Sequence, residues 1–232
     1  MEIEKGIKIR NLLLEVKNTL IISDLHIGFE EALAKQGILV PKFHFRDVVD
    51  SLNKSLKKVK TIIINGDLKH EFGTISEQEW RETLKVLDLL SKYCEKIVLI
   101  RGNHDTILGP IAKKRNLEIV DHVMIGDAYI CHGDKIHRDN DFKKAKIVII
   151  AHEHPAISLR EKTKVEKYKC FLKGKYRDKT LIVQPSFNPL MEGTDILKEK
   201  TLSPFLKQNL NNFDVFVVAD KIYDFGKIKD LR

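Results

Sequence analysis

The feature that most constrains the fold is a set of short, uninterrupted apolar runs rich in Ile, Val and Leu. Runs of three or four such residues suit buried strands and are too short for buried helices. Because helical patterns separate the early runs, we predict crossover units, a parallel or mixed sheet and an α/β fold. The runs occupy residues 20–22, 61–64, 97–100, 128–130, 147–150, 181–183 and 215–218.

The segments between the runs carry helix and turn signals. Ser76 followed by Glu79 has the spacing of a capping box and predicts the start of a helix. Residues 45–59 also carry apolar side chains at helical spacing. In the second half, residues 165–172 and 180–183 predict two strands around a turn at Gly174. No linker or repeat divides the 232 residues, so we predict one domain, 1–232.

Five of the apolar runs are followed directly by residues that bind metals or transfer protons. Ligand sites of α/β sheets lie outside the carboxyl ends of the strands, so we expect the five clusters to meet in one crevice. The residues concerned are Asp24, His26, Asp67, Asn103, His104, Asp105, His132, His152 and His154.

The donor types in these clusters indicate a metal site. Imidazole, carboxylate and one amide oxygen suit Mn²⁺, Fe²⁺, Zn²⁺ or Ni²⁺ better than Mg²⁺ or Ca²⁺. Asp24 and His26 are two residues apart, as are His152 and His154, and in an extended chain each pair points to one side. The number of donors favours two ions over one. Asp67 is the natural bridge because it has two carboxylate oxygens and follows a glycine.

The ordered motifs D-x-H, G-D, G-N-H-D, H and H-x-H resemble the calcineurin-like metallophosphoesterase superfamily. The resemblance covers residues 24–154 and implies a four-layer αββα sandwich with two mixed sheets. The glycine that usually precedes H-x-H in the family is Ala151 here, which is small enough to fit. The resemblance implies one ion on Asp24, His26, Asp67 and His154, and another on Asp67, Asn103, His132 and His152.

The resemblance also implies a mechanism without a covalent enzyme intermediate. A hydroxide bridging two divalent ions would attack phosphorus in line, with Mn²⁺ as the first choice and Ni²⁺, Zn²⁺ or Fe²⁺ as alternatives. His104 would contact the phosphate and protonate the leaving oxygen, and Asp105 would orient His104. We therefore expect a metal-dependent phosphodiesterase. The alternative is a catalytically silent scaffold for protein–protein interaction, because a retromer subunit shares this fold.

Weaker motifs concern the substrate. Residues 66–72 (GDLKHEF), 154–156 (HPA) and 184–189 (QPSFNP) resemble a compact group of phosphoesterases related to SbcD-type repair nucleases. Those nucleases carry an additional DNA-capping domain, and residues 155–232 are too few to form a comparable one. DNA, nucleotides and other small phosphoesters therefore all stay open as substrates, and a phosphatase acting on small phosphoesters stays open beside the phosphodiesterase.

A formal charge of +8 and a pI near 9.2 suit an acidic partner such as nucleic acid. Residues 160–179, the basic segment, hold nine lysines and arginines against three acids. With Tyr168, Phe171 and Tyr176 as stacking platforms, this segment would follow phosphates of a nucleic acid. Alternatively, it is an exposed edge hairpin whose lysines prevent aggregation.

The chain carries no pattern of a membrane protein. Its apolar runs are far shorter than the roughly 20 residues of a membrane span. The first ten residues lack the apolar core of a signal peptide. We therefore expect a cytoplasmic protein without membrane contact.

Overall fold

The computed structural model describes residues 1–38, 44–106, 108–115, 117–161 and 164–231, and within them the strands form two mixed sheets. In the first sheet, antiparallel hairpins lead into parallel strands. Its strands, in spatial order, are β1 (Glu2–Glu4), β2 (Ile7–Arg10), β3 (Leu13–Val16), β4 (Thr19–Ile22), β5 (Val59–Asn65), β6 (Cys94–Ile100) and β7 (Glu118–Val120).

The second sheet is built from the later part of the chain. Its strands are β8 (Val123–Ile125), β9 (Ala128–Ile130), β10 (Ile147–Ile150), β11 (Pro155–Glu161), β12 (Lys164–Tyr176), β13 (Lys179–Val183), β14 (Thr194–Asp195), β15 (Asp214–Val218) and β16 (Ile222–Lys227). Strands β9, β10 and β13 are parallel neighbours. Strand β12 pairs antiparallel with β11, β13 and β15.

Alternation along the central strands packs the two sheets face to face. In β4, Ile21 lies in the core between the sheets, whereas Leu20 belongs to the core on the outer side. In β10, Ile149 lies between the sheets and Val148 faces the other outer side. A strand that is covered on both faces needs a continuous apolar run, which explains the runs in the sequence.

Helices cover the two outer faces. Leu84 and Leu87 pack against the first sheet, and Phe142 packs against the second. The resulting order of helix, sheet, sheet and helix confirms the αββα sandwich. The helices are α1 (Phe29–Lys35), α2 (His44–Ser55), α3 (Glu77–Leu90), α4 (Gly109–Arg115) and α5 (Asn140–Lys144), with 3-10 turns at Pro204–Leu206 and Ile228–Asp230.

Among the described helices, none has both the length and the apolar character needed to cross a membrane.

Helix α3 begins where the sequence predicts, but one half of the capping box has another partner. Ser76 Oγ accepts the N–H of Glu79 at 3.0 Å. The Glu79 carboxylate accepts the N–H groups of His70 at 2.7 Å and Glu71 at 2.9 Å. Glu79 therefore anchors the loop after β5 instead of closing the helix start.

The basic segment differs most from its prediction. Strand β12 continues through Gly174, and the turn falls at Arg177 and Asp178. A Cβ at Gly174 would lie 2.4 Å from the ring of Phe213, so this glycine serves close packing and not a turn.

Two aromatic residues of the basic segment belong to the core. Phe171 is fully buried between the sheets, and Tyr176 packs in the outer core of the second sheet. The segment is therefore not a row of stacking platforms. The alternative of an edge hairpin holds for its first part, because residues 157–161 of β11 and 164–169 of β12 pair with each other and with no further strand of the described chain, whereas residues 170–176 pair with β13 and β15. Tyr168 is half-buried, and Lys162 lies outside the described residues.

Candidate metal centre

The polar clusters that follow β4, β5, β6, β9 and β10 meet at one end of the sandwich. Asp24 Oδ1 lies 3.1 Å from His154 Nε2, and Asp67 Oδ2 lies 3.3 Å from His132 Nε2. A third contact joins two loops of the first sheet, since His26 Nε2 lies 3.7 Å from Asp67 Oδ2. Loops that are distant in sequence and belong to both sheets therefore share one crevice.

The donors form two neighbouring groups, each with ligand atoms within 4.8 Å of one another. Asp67 belongs to the group of His132 and also contacts His26 of the other group. Asn103 adds an amide oxygen 3.0 Å from His132 Nε2. The groups are Asp24, His26 and His154, and Asp67, His132 and His152.

Five of these residues have φ angles in the left-handed region, which residues other than glycine rarely adopt. The extended geometry predicted for the pairs is therefore wrong, and tight turns direct the side chains inward. Residues held in this region cost about 1–3 kcal/mol each and cluster at functional sites. The φ angle is +49° at Asp24, +41° at His26, +49° at Asp67, +64° at His152 and +50° at His154.

Two glycines let the loops approach each other closely. A Cβ on Gly66 would lie 2.1 Å from His132 Nδ1, and one on Gly102 would lie 2.1 Å from Asp67 Oδ1. Any larger residue at either position would displace a donor.

The donor set fits divalent cations. Asp24 Oδ2, His26 Nε2 and His154 Nε2 are buried and make no hydrogen bond within the described residues. A buried polar atom without a partner costs free energy, so three in one group indicate that a ligand belongs there. Imidazole nitrogens together with carboxylate oxygens are the ligands that first-row divalent ions prefer.

The charges in the second group support the same interpretation. Burial opposes a charge on His132, but the hydrogen bond with Asp67 and the charges of Asp67 and Asp24 raise the pKa of His132 to about 10. That hydrogen bond also holds the pKa of Asp67 below its ordinary value despite burial. A proton thus supplies positive charge between the carboxylates. A divalent cation would replace it, because a metal-bound histidine is neutral.

Comparison with known proteins agrees with this geometry. The family model for calcineurin-like phosphoesterases matches residues 17–209, which include all five polar clusters. The chain belongs to the calcineurin-like phosphoesterase family. No match was found among curated proteins.

Solved structures with a similar fold include nuclease MPE from Pseudomonas putida, which aligns over 97% of this phosphoesterase and 98% of its own chain with a TM-score of 0.63 and 19% identity. The phosphoesterase Yfce from E. coli aligns over 87% and 88%, with a TM-score of 0.36 and 12% identity. Vacuolar protein sorting 29 from Cryptosporidium parvum aligns over 90% and 97%, with a TM-score of 0.38 and 14% identity. The alignment with nuclease MPE supports the two-sheet fold along nearly the whole chain.

In this phosphoesterase, His104 lies beside the two donor groups. Its Nδ1 faces the carbonyl oxygen of His70, and its Nε2 lies 4.0 Å from Asp67 Oδ2. Because a carbonyl oxygen only accepts, Nδ1 carries a hydrogen and Nε2 is directed towards the donors. Burial and the charge of His104 lower the pKa of His70 to about 4.

Asp105 has a different partner from the one expected. Its carboxylate accepts the N–H groups of Leu68 at 3.1 Å and Gly102 at 3.0 Å, so it joins two loops of the first sheet. Burial and a neighbouring carboxylate raise the pKa of Asp105 to about 7. The orientation of His104 comes instead from the carbonyl oxygen of His70.

A loop to which sequence reasoning gave no role holds the first cluster in place. Ser186 Oγ donates to the carbonyl oxygen of Asp24 at 2.8 Å. Asn188 Nδ2 donates to the carbonyl oxygens of Leu25 at 2.9 Å and His26 at 3.2 Å. These bonds fix the left-handed backbone of the donors. The QPSFNP motif is visible in the sequence. The partner of Ser186, Asp24, lies 162 residues earlier, so spacing along the chain does not reveal the contact.

Proposed function

We propose that this protein is a dinuclear, metal-dependent phosphodiesterase. The observation that carries the proposal is the pair of neighbouring donor groups that share contacts with Asp67. When bound, the two ions activate water and neutralise charge that develops on the phosphate. We assign one ion to Asp24, His26, Asp67 and His154, and the other to Asp67, Asn103, His132 and His152.

Manganese is the first choice of metal, and Ni²⁺, Zn²⁺ and Fe²⁺ are the alternatives. The assigned donors include four imidazoles, and imidazole suits Mn²⁺ and its heavier neighbours better than Mg²⁺, which prefers oxygen ligands and retains water. The choice among the first-row ions depends on supply as well as on affinity.

His104 is the proposed general acid. Its Nδ1 hydrogen is held by the carbonyl oxygen of His70, which leaves Nε2 directed towards the donors. As an imidazolium, His104 would bind the phosphate and donate its Nε2 proton to the leaving oxygen. Asp105 supports the backbone on which Asn103 and His104 lie.

Nucleic acids and nucleotides are the proposed class of substrate. A full-length fold neighbour is described as a nuclease, and the charge of +8 favours an anionic substrate. The basic segment contributes less than its composition indicates, because its described lysines have partners inside the chain. Lys167 contacts Glu199, and Lys173 contacts Glu4. Lys179 donates to two backbone carbonyl oxygens.

A silent scaffold is the less favoured function. An interaction platform needs neither left-handed backbone at five donors nor buried donor atoms without hydrogen bonds. Both features cost stability, and the binding of ions for catalysis explains both.

The test is hydrolysis of phosphoesters by metal-stripped protein that has been supplied again with Mn²⁺, Ni²⁺, Zn²⁺ or Mg²⁺. The substrates are bis-p-nitrophenyl phosphate, p-nitrophenyl phosphate, and single- and double-stranded DNA. We expect cleavage of the diester with Mn²⁺, and cleavage of DNA would identify a nuclease. Two bound equivalents of metal without any turnover would favour the scaffold.

A further inference from the structure

One exposed aromatic side chain lies beside the proposed general acid. Phe72 has 57% of its surface exposed, whereas most large apolar side chains in the described chain are buried. Its ring centre lies 3.7 Å from that of His104, with 35° between the ring planes. Phe72 therefore contacts His104 and still presents much of its ring to solvent.

The loop that carries Phe72 is anchored from inside. Lys69 precedes it and is fully buried, which is unusual for a lysine. Its ammonium donates to the carbonyl oxygens of Glu71 and Thr74, on either side of Phe72. A buried cation thus closes the loop around its own backbone.

The same loop is anchored from outside at two further points. The Glu79 carboxylate of α3 accepts two N–H groups before Phe72, including that of His70. After Phe72, the N–H of Gly73 donates to Thr106 Oγ1 at 3.2 Å. An apolar ring that is exposed on so firmly held a loop is placed in advance for contact with another group.

The position of Phe72 follows from the geometry of His104. Nε2 of His104 lies 4.0 Å from Asp67 Oδ2, and its ring centre lies 4.8 Å from that of His26. The oxygen atom that His104 would protonate belongs to the leaving group. The part of the substrate attached to that oxygen must therefore lie next to His104, within reach of Phe72.

We infer that Phe72 is a stacking platform for the base of the leaving nucleotide, an inference that rests on the proposed function. An aromatic side chain stacks on any base, because every base has a π-face, so the platform does not select a sequence. It does select single-stranded substrates, because a base within a duplex is already stacked on its neighbours. The loop after Asp67, which carries Phe72, would therefore determine substrate specificity.

The test compares two dinucleotides that differ in the leaving nucleoside alone. One carries adenine there, and the other carries hydrogen in place of the base, so the leaving alkoxide and its need for a proton are the same. For Mn²⁺-loaded protein we expect kcat/KM to be about 5- to 150-fold higher with the base, the range of one base–aromatic stack. Phe72→Ala should abolish this preference, and Phe72→Tyr should retain it.

Two further variants distinguish stacking from simple coverage of His104. Phe72→Leu keeps an apolar side chain over His104 but has no aromatic face, so we expect it to lose the preference as Phe72→Ala does. Val165, which is 52% exposed on β12, provides the matched control, and Val165→Ala should behave as wild type. Equal losses on both dinucleotides in Phe72→Ala would overturn the platform, because Phe72 would then serve His104 alone.

A binding measurement separates failure of this inference from failure of the proposed function. Calorimetric titration with deoxyadenosine monophosphate and with deoxyribose 5-phosphate requires no turnover. Tighter binding of the nucleotide that is lost in Phe72→Ala supports the platform even if no diester is cleaved. Equal affinity for the two probes overturns the platform, and hydrolysis of bis-p-nitrophenyl phosphate by the same preparation then shows that the catalytic proposal stands.

Discussion

The loops at the strand ends and the basic segment on β12 are both rich in polar residues, but the fold uses them in different ways. At the strand ends, Asp24 and His154 lie 3.1 Å apart although they come from different sheets. Along β12, Phe171 enters the core and Lys173 pairs with Glu4. The first region gathers candidate metal ligands, and the second pairs several of its lysines with acids and carbonyl oxygens of the chain.

This difference has a physical cause. Metal ligands must point in a fixed direction, so their backbone and partners are constrained, and the left-handed φ angle of Asp67 is the kind of constraint that its proposed role requires. A lysine has a long stem and finds an acid or a carbonyl oxygen in many environments. Rare donors in a fixed order at strand ends therefore carry information about function, whereas the number of lysines along a strand carries little.

The substitution with the largest expected effect on activity removes a charge at the strand ends. Asp67→Asn keeps an oxygen that accepts the N–H of His104 but loses the carboxylate between the two groups. Because the ions supply several kcal/mol of transition-state stabilisation, we expect activity to fall about a thousand-fold or more. Metal content after dialysis, measured by elemental analysis beside the hydrolysis rate, checks this. Asp127→Asn, at an exposed pair with Lys146, is the control.

Full activity and two metal equivalents in Asp67→Asn would contradict the shared role of Asp67.

The second test separates chemistry from metal binding. His104→Asn should lower kcat about 10²- to 10⁴-fold for substrates with an alkoxide leaving group, because the leaving oxygen loses its proton donor. The loss should be smaller with p-nitrophenolate, which leaves without protonation, and metal content should not change. His137→Asn, in a separate cluster with His122 and Asp139, is the control. Equal losses with both leaving groups would remove His104 from the role of general acid.

The third test concerns the loop that holds the donors. Asn188→Ala leaves the carbonyl oxygens of Leu25 and His26 without their donor. We expect the free energy of unfolding to fall by about 1–3 kcal/mol and metal affinity to fall about 10- to 100-fold. Urea unfolding and metal titration measure the two effects, with exposed Asn140→Ala as the control. Lower stability with unchanged metal affinity would limit Asn188 to a structural role.

A fourth test uses pH on a lysine that joins the two regions. Lys169 of β12 donates to the carbonyl oxygens of Ser186 and Asn188, and burial lowers its pKa to about 7. Below pH 7 both folded and unfolded chains hold the proton, and the folded state bears the cost of the buried charge. Above pH 7 the folded lysine releases the proton while the unfolded lysine keeps it, so its contribution to stability rises with pH up to about 10.5.

Urea unfolding of metal-free protein at several pH values measures this contribution. The free energy of unfolding should rise by at most about 1.4 kcal/mol per pH unit through this lysine. The rise should disappear in Lys169→Met and persist in Lys175→Met, whose side chain is exposed. Parallel pH profiles for wild type and Lys169→Met would show that the lysine keeps its proton in the folded chain.

The smallest effect is expected in the basic segment itself. Replacing the exposed residues Lys164 and Lys175 by Gln should change stability by less than about 0.5 kcal/mol and leave DNA cleavage within about two-fold. Lys96→Gln with Lys146→Gln provides a charge-matched control elsewhere on the surface. Two results together would restore the segment as a phosphate-binding surface. One is a large loss of DNA cleavage, and the other is a decrease of about one per lysine in the slope of log DNA affinity against log salt concentration.

Predictions from the sequence agree with the structure where a feature depends on residues nearby in sequence, and they fail where it depends on residues that are distant in sequence. The apolar runs and Ser76 report their own environment, so strands such as β4 and the start of α3 are predicted correctly. Gly174 carries an equally clear turn signal, but it lies within β12, where the absence of a side chain lets Phe213 pack closely. Phe213 lies in the connection before β15, far from Gly174 in sequence. Asp105 is likewise adjacent to His104 in sequence and bonds to Leu68 instead.

The sequence by itself determined the type of sheet and which polar residues gather at the strand ends, because burial on both faces and ligand sites at strand ends each require particular residue types at particular places. The tertiary structure alone decided how the donors are held. Contacts such as Asn188 with His26, Glu79 with His70 and Phe72 with His104 join segments that chain spacing does not relate. Hydrogen bonds and packing depend on distance in space, and only the packed sandwich brings those residues together.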